Sequence, residues 1–171
     1  TGFDTSSVTD MDSMFYGCSG LTTLNVTGFN TSKVENMNGM FAHCSKLTTL
    51  DVTGFYTSKV TDMEDMFYGC SGLTTLNLAG WDTSKVTNMG RMFGFCSKLT
   101  GLTFGDGWRT SKVTDMKEMF QHCSALTTLD WTGWNISSVV DMSDMFRLCS
   151  GLEYVDMTLG QSNAIQCFKG L

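Results

Sequence analysis

The sequence contains no apolar run that approaches the roughly 18 residues of a membrane-spanning helix. It also contains no cluster of lysine and arginine. The 11 basic residues are outnumbered by 17 acidic ones, and the net charge is −6. An acidic chain without a basic patch is a poor match for nucleic acids or anionic membranes. We therefore expect no nucleic-acid partner and no direct insertion into a membrane.

Residues that carry catalysis or bind metals are also scarce. No Cys-x-x-Cys pair with zinc-ligand spacing occurs. The two histidines, His43 and His122, stand at the same repeat position three repeats apart, which predicts a separation of about 15 Å along a stack. That distance excludes a shared metal ion, and no nucleophile, base and acid can be grouped from residues so distributed. We expect a non-enzymatic protein with no catalytic residue, metal or cofactor.

An internal repeat dominates the sequence. Cysteine recurs at intervals of 26, 26, 26, 27 and 26 residues, at Cys18, Cys44, Cys70, Cys96, Cys123 and Cys149. Twelve of the 13 methionines occupy two repeat positions, and the interval of 27 comes from one extra residue within Phe104–Trp108. An insertion that leaves the pattern intact marks a surface turn. Such periodicity predicts stacked repeats that bury a core only together.

We predict one domain of six repeats over residues 1–157, followed over 158–171 by a degenerate seventh repeat or a C-terminal cap. The chain starts inside a repeat and shows no signal peptide at Thr1. We therefore expect it to be a fragment of a longer protein.

Each repeat contains one clear strand candidate and one ambiguous half. In Leu21–Val26 and its copies, apolar and polar residues alternate with the period of a strand. Val8, Met11, Phe15 and Cys18 have spacings of 3, 4 and 3, which fit one face of a helix. The alternative is a short extended piece at Val8–Met11, followed by one or two helical turns from Ser13 to Cys18.

The repeat resembles a known family. The run Met-Phe-x-x-Cys-Ser-x-Leu-Thr-x-Leu, preceded by Gly-[Phe/Trp]-x-Thr-Ser-Lys-Val-Thr-x-Met, is similar to the 26-residue bacterial surface-protein repeat and to the BspA-like branch of leucine-rich repeats. The resemblance implies an α/β fold: a right-handed leucine-rich-repeat-like solenoid with a parallel sheet on one side and short helical segments on the other. It also implies secretion, exposure on a cell surface, and adhesion for some members.

Two apolar rows have functional alternatives. The six cysteines in register suggest a reduced, buried ladder, because parallel side chains have poor geometry for disulfides. Cys167 lies outside that row and is the expected reactive thiol. A second row could be a carbohydrate platform, but we favour core packing: Phe3, Phe29, Phe55, Trp81, Trp108 and Trp134.

Polar rows also recur. Thr5, Thr31, Thr57, Thr83 and Thr110 suit a turn or a helix entry, where hydroxyl groups satisfy free backbone amides. A row of acids and amides could attract calcium, although no calcium-loop motif supports it: Asp10, Asn36, Asp62, Asn88, Asp115 and Asp141.

The outer face of the predicted strands is the candidate binding surface, because its residues alternate with the core leucines and valines. It carries Thr23, Asn25, Thr49, Asp51, Thr75, Asn77, Thr128 and Asp130, with Gly101, Thr103 and Asp156 in the same two rows. Solenoids use such extended surfaces for binding. We expect a monomeric, extracellular adhesion module that binds a protein on a host or neighbouring cell or in the matrix, with a glycan as the other partner. The alternatives are a structural spacer and, more remotely, ice binding by a flat threonine-bearing sheet.

Overall fold

The computed structural model of the protein describes residues 2–153, and in them successive repeats lie directly over one another. Two strands are present, β1 at Thr75–Leu78 and β2 at Gly101–Phe104, and they pair in parallel with Thr75 opposite Gly101. A second line of contact consists of isolated parallel bridges along Asp10, Asn36, Asp62, Asn88, Asp115 and Asp141. The bridged residues are one repeat apart, so each repeat forms one coil of a stack. Coils 1 to 6 hold Cys18, Cys44, Cys70, Cys96, Cys123 and Cys149 respectively.

The prediction of an α/β solenoid with short helical segments is wrong, because the described residues contain no helix. In coil 3, the N–H groups of Asp65 and Phe67 donate to the carbonyls of Gly90 and Met92 in coil 4, at 3.0 and 2.9 Å. An α-helix would use those donors within its own segment. Asp65 also has a φ of 56°, which is outside the helical region.

Overlapping turns replace the predicted helix. The N–H groups of Met66, Tyr68 and Cys70 each donate to the carbonyl three residues earlier, whereas the alternate N–H groups donate to the next coil. The left-handed φ recurs through the stack at the third residue of a turn, at Ser13, Asp65, Arg91, Glu118 and Asp144, which type II turns require. The spacing of 3, 4 and 3 therefore arises from tandem turns. It follows that none of the described residues belongs to a helix able to cross a bilayer.

The predicted sheet is also reduced. Of the strand candidates within residues 2–153, only those in coils 3 and 4 form a ladder, as β1 and β2. The Leu21–Val26 segment and its copy in coil 2 form no strand. Most hydrogen bonds between coils come from the tandem turns, which hold the coils together without a continuous sheet. The strand copy that reaches Met157 and the segment 158–171 lie outside the described residues.

The core consists of identical side chains stacked in columns. Phe15, Phe41, Phe67, Phe93, Phe120 and Phe146 form a ring ladder in which neighbouring centroids are 5.3–5.8 Å apart and the planes lie within 11° of parallel. The columns of valine, methionine and cysteine beside it are buried from coil 2 onward. In coil 1, Met11 is buried but Val8, Phe15 and Cys18 are only partly buried, because no described coil covers their outer side.

Buried threonines clamp one coil to the next. The Thr57 hydroxyl donates to the Asp82 carbonyl at 3.0 Å and accepts from the Asp82 N–H at 2.9 Å. The same pair of bonds recurs at Thr5, Thr31, Thr83 and Thr110. The structural role predicted for this row is therefore confirmed, although the hydroxyls satisfy the next coil rather than a helix entry.

Candidate functional site

The polar face, defined as Thr23, Asn25, Thr49, Asp51, Thr75, Asn77, Thr128 and Asp130, is exposed at every position. In β1 the alternation is complete, with Thr75 and Asn77 exposed and Leu76 and Leu78 buried. The expectation that these residues do not serve the core is confirmed by their exposure. Asp156, in the same row, lies outside the described residues.

Six of the eight polar-face residues line one concave surface. Its volume is about 660 Å³, and it runs across coils 1 to 3 with Thr23, Asn25, Thr49, Asp51, Thr75 and Asn77 on its walls. Thr27 and Thr53 complete its polar lining, and Leu24 and Leu50 form its floor. Thr128 does not line it, and Asp130 lines a different concavity in coils 4 and 5. The structure therefore divides the predicted surface into two regions.

Turns fix the oxygen atoms of this face. Asp51 Oδ1 accepts from the N–H and from the hydroxyl of Thr53, at 3.0 and 2.7 Å, and Asn25 Oδ1 accepts the same pair of bonds from Thr27. These bonds, first from the hydroxyl and then from the N–H, hold the pKa of the Asp51 carboxyl below its usual value. Asp51 is thus an ionised, pre-oriented acceptor at neutral pH, a structural role that the alternation alone did not reveal.

The cysteine column is buried, as predicted, from coil 2 onward. Each buried thiol donates to the carbonyl of the ring-ladder phenylalanine in the preceding coil, for example Cys70 Sγ to Phe41 at 3.0 Å. Burial raises the pKa of the Cys44 and Cys149 thiols to about 11 and raises that of the other buried thiols further. This environment suppresses the thiolate, so the row suits packing rather than nucleophilic chemistry. Cys167 lies outside the described residues.

The aromatic row after the strand candidates is mostly core. Phe55, Trp81, Trp108 and Trp134 are buried, which confirms the core interpretation for these four. It is wrong for Phe3, which is 81% exposed in coil 1, where no described coil covers it. The Trp81 indole N–H donates to the Val52 carbonyl at 3.1 Å and is satisfied within the stack.

A second set of rings was not anticipated from the sequence. Tyr16, His43, Tyr68, Phe95 and His122 form a surface zigzag in which successive centroids are 4.4–5.4 Å apart. Small residues make room for it, since a Cβ at Gly69 would come within 2.7 Å of the His43 ring. The signal lay in the dipeptides Tyr-Gly, Ala-His and Gly-Phe before successive cysteines. The two histidines therefore lie in one row but do not meet.

A cluster of charges lies beside this zigzag. Arg91 contacts Asp65 through two hydrogen bonds of 2.7 Å and Glu64 through one of 2.8 Å. The pKa of Arg91 is raised, mainly because its guanidinium donates hydrogen bonds to the Asp65 carboxylate. The cluster links coils 3 and 4, and because all three side chains are partly exposed its stabilising effect is modest, at most about 1 kcal/mol.

The row proposed as a calcium candidate has a local structural role. Asp62 Oδ1 accepts from the Glu64 N–H at 2.8 Å, and the corresponding bonds recur at Asp10, Asn36, Asn88, Asp115 and Asp141. Within residues 2–153, no three His, Cys, Asp or Glu side chains form a group able to hold a metal ion. These side-chain bonds therefore stabilise the backbone next to the isolated bridges between coils.

Comparison with known proteins identifies a family. A family model described as "Mycoplasma protein of unknown function, DUF285" matches residues 1–105 and 71–163. No curated protein matches the chain. Among solved structures, the chain is similar to a leucine-rich repeat protein from Eubacterium ventriosum ATCC 27560, at 23% identity and a TM-score of 0.48, over 77% of this chain and 32% of that one. The chain spans about a third of the length of that protein.

Proposed function

Because the chain belongs to the repeat family of unknown function DUF285, and its repeat resembles the 26-residue repeat of bacterial surface proteins, we propose that it is a non-enzymatic adhesion module. It acts at a cell surface and binds a protein on a host or neighbouring cell or in the matrix. The location and the class of partner rest on the resemblance of the repeat. The region of binding rests on the geometry of the polar face.

One observation carries the proposal: six exposed polar side chains from three successive coils line a single concavity of about 660 Å³. Its walls repeat a threonine and an acid or amide from coil to coil, so hydrogen-bond donors and acceptors alternate along it. A partner would meet hydroxyl groups beside carboxyl and amide oxygens on an apolar floor of Leu24 and Leu50.

The mechanism that follows is rigid display. The turn bonds that hold Asn25 and Asp51 orient their oxygens before a partner arrives, and the buried threonine clamps fix the spacing of the coils. A surface that is already ordered loses less conformational entropy on binding, where each side chain that must be immobilised costs about 0.5–1.5 kcal/mol. The stack thus turns a repeated sequence into an ordered row of contacts.

The test is adhesion to an immobilised extracellular-matrix extract by two double variants. Thr49→Lys with Thr75→Lys introduces two long cations into the concavity, and we expect it to reduce binding at least about tenfold, since each change removes contacts and obstructs the surface. Thr61→Lys with Thr87→Lys makes the same change at exposed threonines outside the concavity and should bind as the unmodified protein does.

A spacer is the second candidate, because the same clamps and ladders recur in every described coil and would suit a rigid stalk. The experiment separates the two functions. A spacer needs no contact at the polar face, so equal adhesion by both double variants would favour it and contradict the binding proposal.

A further inference from the structure

The ring zigzag of Tyr16, His43, Tyr68, Phe95 and His122 is accessible from solvent, unlike the ring ladder of the core. Tyr16 is 57% exposed, His43 is also exposed, and the other three residues are half-buried. Each of coils 1 to 5 contributes one ring, and successive rings are in contact. Apolar groups that form a continuous exposed row, rather than scattered single residues, are typical of binding surfaces.

A concavity of about 450 Å³ runs along the zigzag from coil 2 to coil 5. Four members of the zigzag line this zigzag concavity: His43, Tyr68, Phe95 and His122. Its volume lies within the range of about 300–1,000 Å³ that is usual for small-molecule sites. It shares no lining residue with the concavity of the polar face, so it is a separate candidate site.

A row of serine hydroxyl groups lies beside the rings. Ser45, Ser71 and Ser97, which directly follow the column cysteines, also line the zigzag concavity and are half-buried. None of their hydroxyl groups makes a hydrogen bond to another of the described residues, whereas the hydroxyl of Ser124, next in the row, donates to the Ser97 carbonyl at 3.3 Å. Three hydroxyl groups can therefore donate to, and accept from, a molecule in the concavity.

The backbone of this surface is already satisfied. The Gly69 N–H donates to the Gly94 carbonyl at 2.8 Å, and the Phe95 N–H donates to the Gln121 carbonyl at 2.7 Å. An extended peptide that binds by strand addition needs free backbone donors and acceptors at an edge. The side chains, and not the backbone, must therefore recognise the ligand.

The charges of this surface favour an uncharged ligand. Within residues 2–153, no carboxylate, lysine or arginine lines the zigzag concavity. Asp65 and Arg91 line a neighbouring concavity, where Arg91 donates two hydrogen bonds to Asp65. A charged ligand would lose its hydration without gaining an unpaired carboxylate, lysine or arginine as its partner.

We propose that the zigzag concavity binds a neutral glycan that runs along the stack. The surface offers rings and hydroxyl groups that recur from coil to coil. A pyranose has the complementary chemistry, because its C–H groups pack on aromatic rings and its hydroxyl groups both donate and accept. A short chain of pyranoses can repeat these contacts in successive coils. This assignment is independent of the polar-face proposal, which concerns another surface and a protein partner.

The imidazole signals in ¹H–¹³C spectra test the proposal, because the chain has two histidines and both line the concavity. The probes are cellotetraose, maltotetraose and N-acetylated chitotetraose at constant pH. The rivals are a proline-rich decapeptide, tetramethylammonium and phosphate, which test for a peptide, a cation and an anion. We expect at least one tetrasaccharide to shift both imidazole signals saturably and to bind more tightly than any rival.

Two variants remove single contacts from the site. Phe95→Leu removes a ring and should fold, because leucine occupies the same repeat position at Leu148 with the same φ of 60°. Ser71→Ala removes a hydroxyl group that bonds no other described residue. From the titration curves, we expect Phe95→Leu to weaken tetrasaccharide binding about fivefold and Ser71→Ala about threefold.

Matched controls make the same changes outside the concavity. Tyr56→Leu removes a ring that is 66% exposed elsewhere, and Ser19→Ala removes a hydroxyl group of the same serine row in coil 1. Both should bind as the unmodified protein does. The proposal is overturned if no tetrasaccharide shifts both imidazole signals, if a rival binds more tightly than every tetrasaccharide, or if Phe95→Leu and Ser71→Ala bind no more weakly than their controls.

Discussion

Replacement of Phe93 by alanine is expected to lower the free energy of unfolding by about 4 kcal/mol. The Phe93 side chain is 0% exposed, and truncation of a fully buried phenylalanine costs about 3–5 kcal/mol through lost burial and the cavity that remains. Its ring also contacts those of Phe67 and Phe120, with centroids 5.8 and 5.3 Å away. Each such pair contributes about 0.5–1.5 kcal/mol beyond its buried area.

The same change at Phe15 serves as the matched comparison. Phe15 belongs to the same ring ladder but is only partly buried, and it has a single ladder neighbour, Phe41. We expect Phe15→Ala to cost about 2 kcal/mol, half the value at Phe93, because the partly buried Phe15 ring loses less buried area.

Urea unfolding followed by circular dichroism measures both values, and a double-mutant cycle tests the register directly. The adjacent rings Phe67 and Phe93 should be coupled by about 1 kcal/mol, whereas Phe41 and Phe120, which do not touch, should be additive within about 0.5 kcal/mol. Equal costs for Phe15→Ala and Phe93→Ala, or the same coupling for both pairs, would refute the stacked-ring interpretation.

Three further predictions concern the thiols and the insertion. Among the six thiols of the cysteine column, Cys18 should react first in a native thiol titration, since it is only partly buried, and rapid reaction of all six column thiols would contradict the buried column. Burial raises the pKa of Cys44 from 9.0 to about 11, so its contribution to stability is complete below pH 9 and is lost as the pH rises towards 11. The urea midpoint should therefore fall over that interval, and less so in Cys44→Ala. Gly105→Ala should lower the melting temperature sharply because its Cβ would overlap a backbone carbonyl, whereas Gly20→Ala, with open space around it, should not.

The sequence predicts the columns of the stack well. The same residue types recur once per repeat, as at Cys44, Phe41 and Thr31. Side chains that repeat in this way must lie together if any coil is to bury its apolar residues. The burial of the cysteine row follows from that argument. The exposure of the polar face follows instead from the alternation of polar and apolar residues in Leu21–Val26 and its copies.

The local backbone conformation could not be predicted from the repeat pattern. The spacing from Val8 to Cys18 fits one face of a helix and also fits tandem turns, so periodicity alone could not distinguish the two structures. What decides between them is the destination of alternate N–H groups, which donate to the next coil. The left-handed φ of Arg91 and Glu118 accompanies these bonds between coils, because neither residue type favours that conformation alone.

The two features most specific to this chain depend on departures from the repeat. The ring zigzag arises where Tyr68 and Phe95 occupy neighbouring positions in successive coils and a glycine makes room. The buried indole N–H of Trp108, which has no partner among the described residues, lies next to the one inserted residue. A consensus repeat averages over all coils and hides such deviations. The sequence therefore predicts that Asp130 belongs to the polar face, whereas in the structure it lines a concavity with Trp108.

The register of the coils is tested most directly by scalar couplings across hydrogen bonds in a ¹³C,¹⁵N-labelled sample. In the structure the Phe67 N–H donates to the carbonyl of Met92 in the next coil at 2.9 Å. We predict a coupling between the Phe67 nitrogen and the Met92 carbonyl carbon, with equivalent couplings from Asp65 to Gly90 and from Gly69 to Gly94. A coupling from Phe67 to the carbonyl of Met63, four residues earlier, would show a helix in its place and contradict the stack of coils.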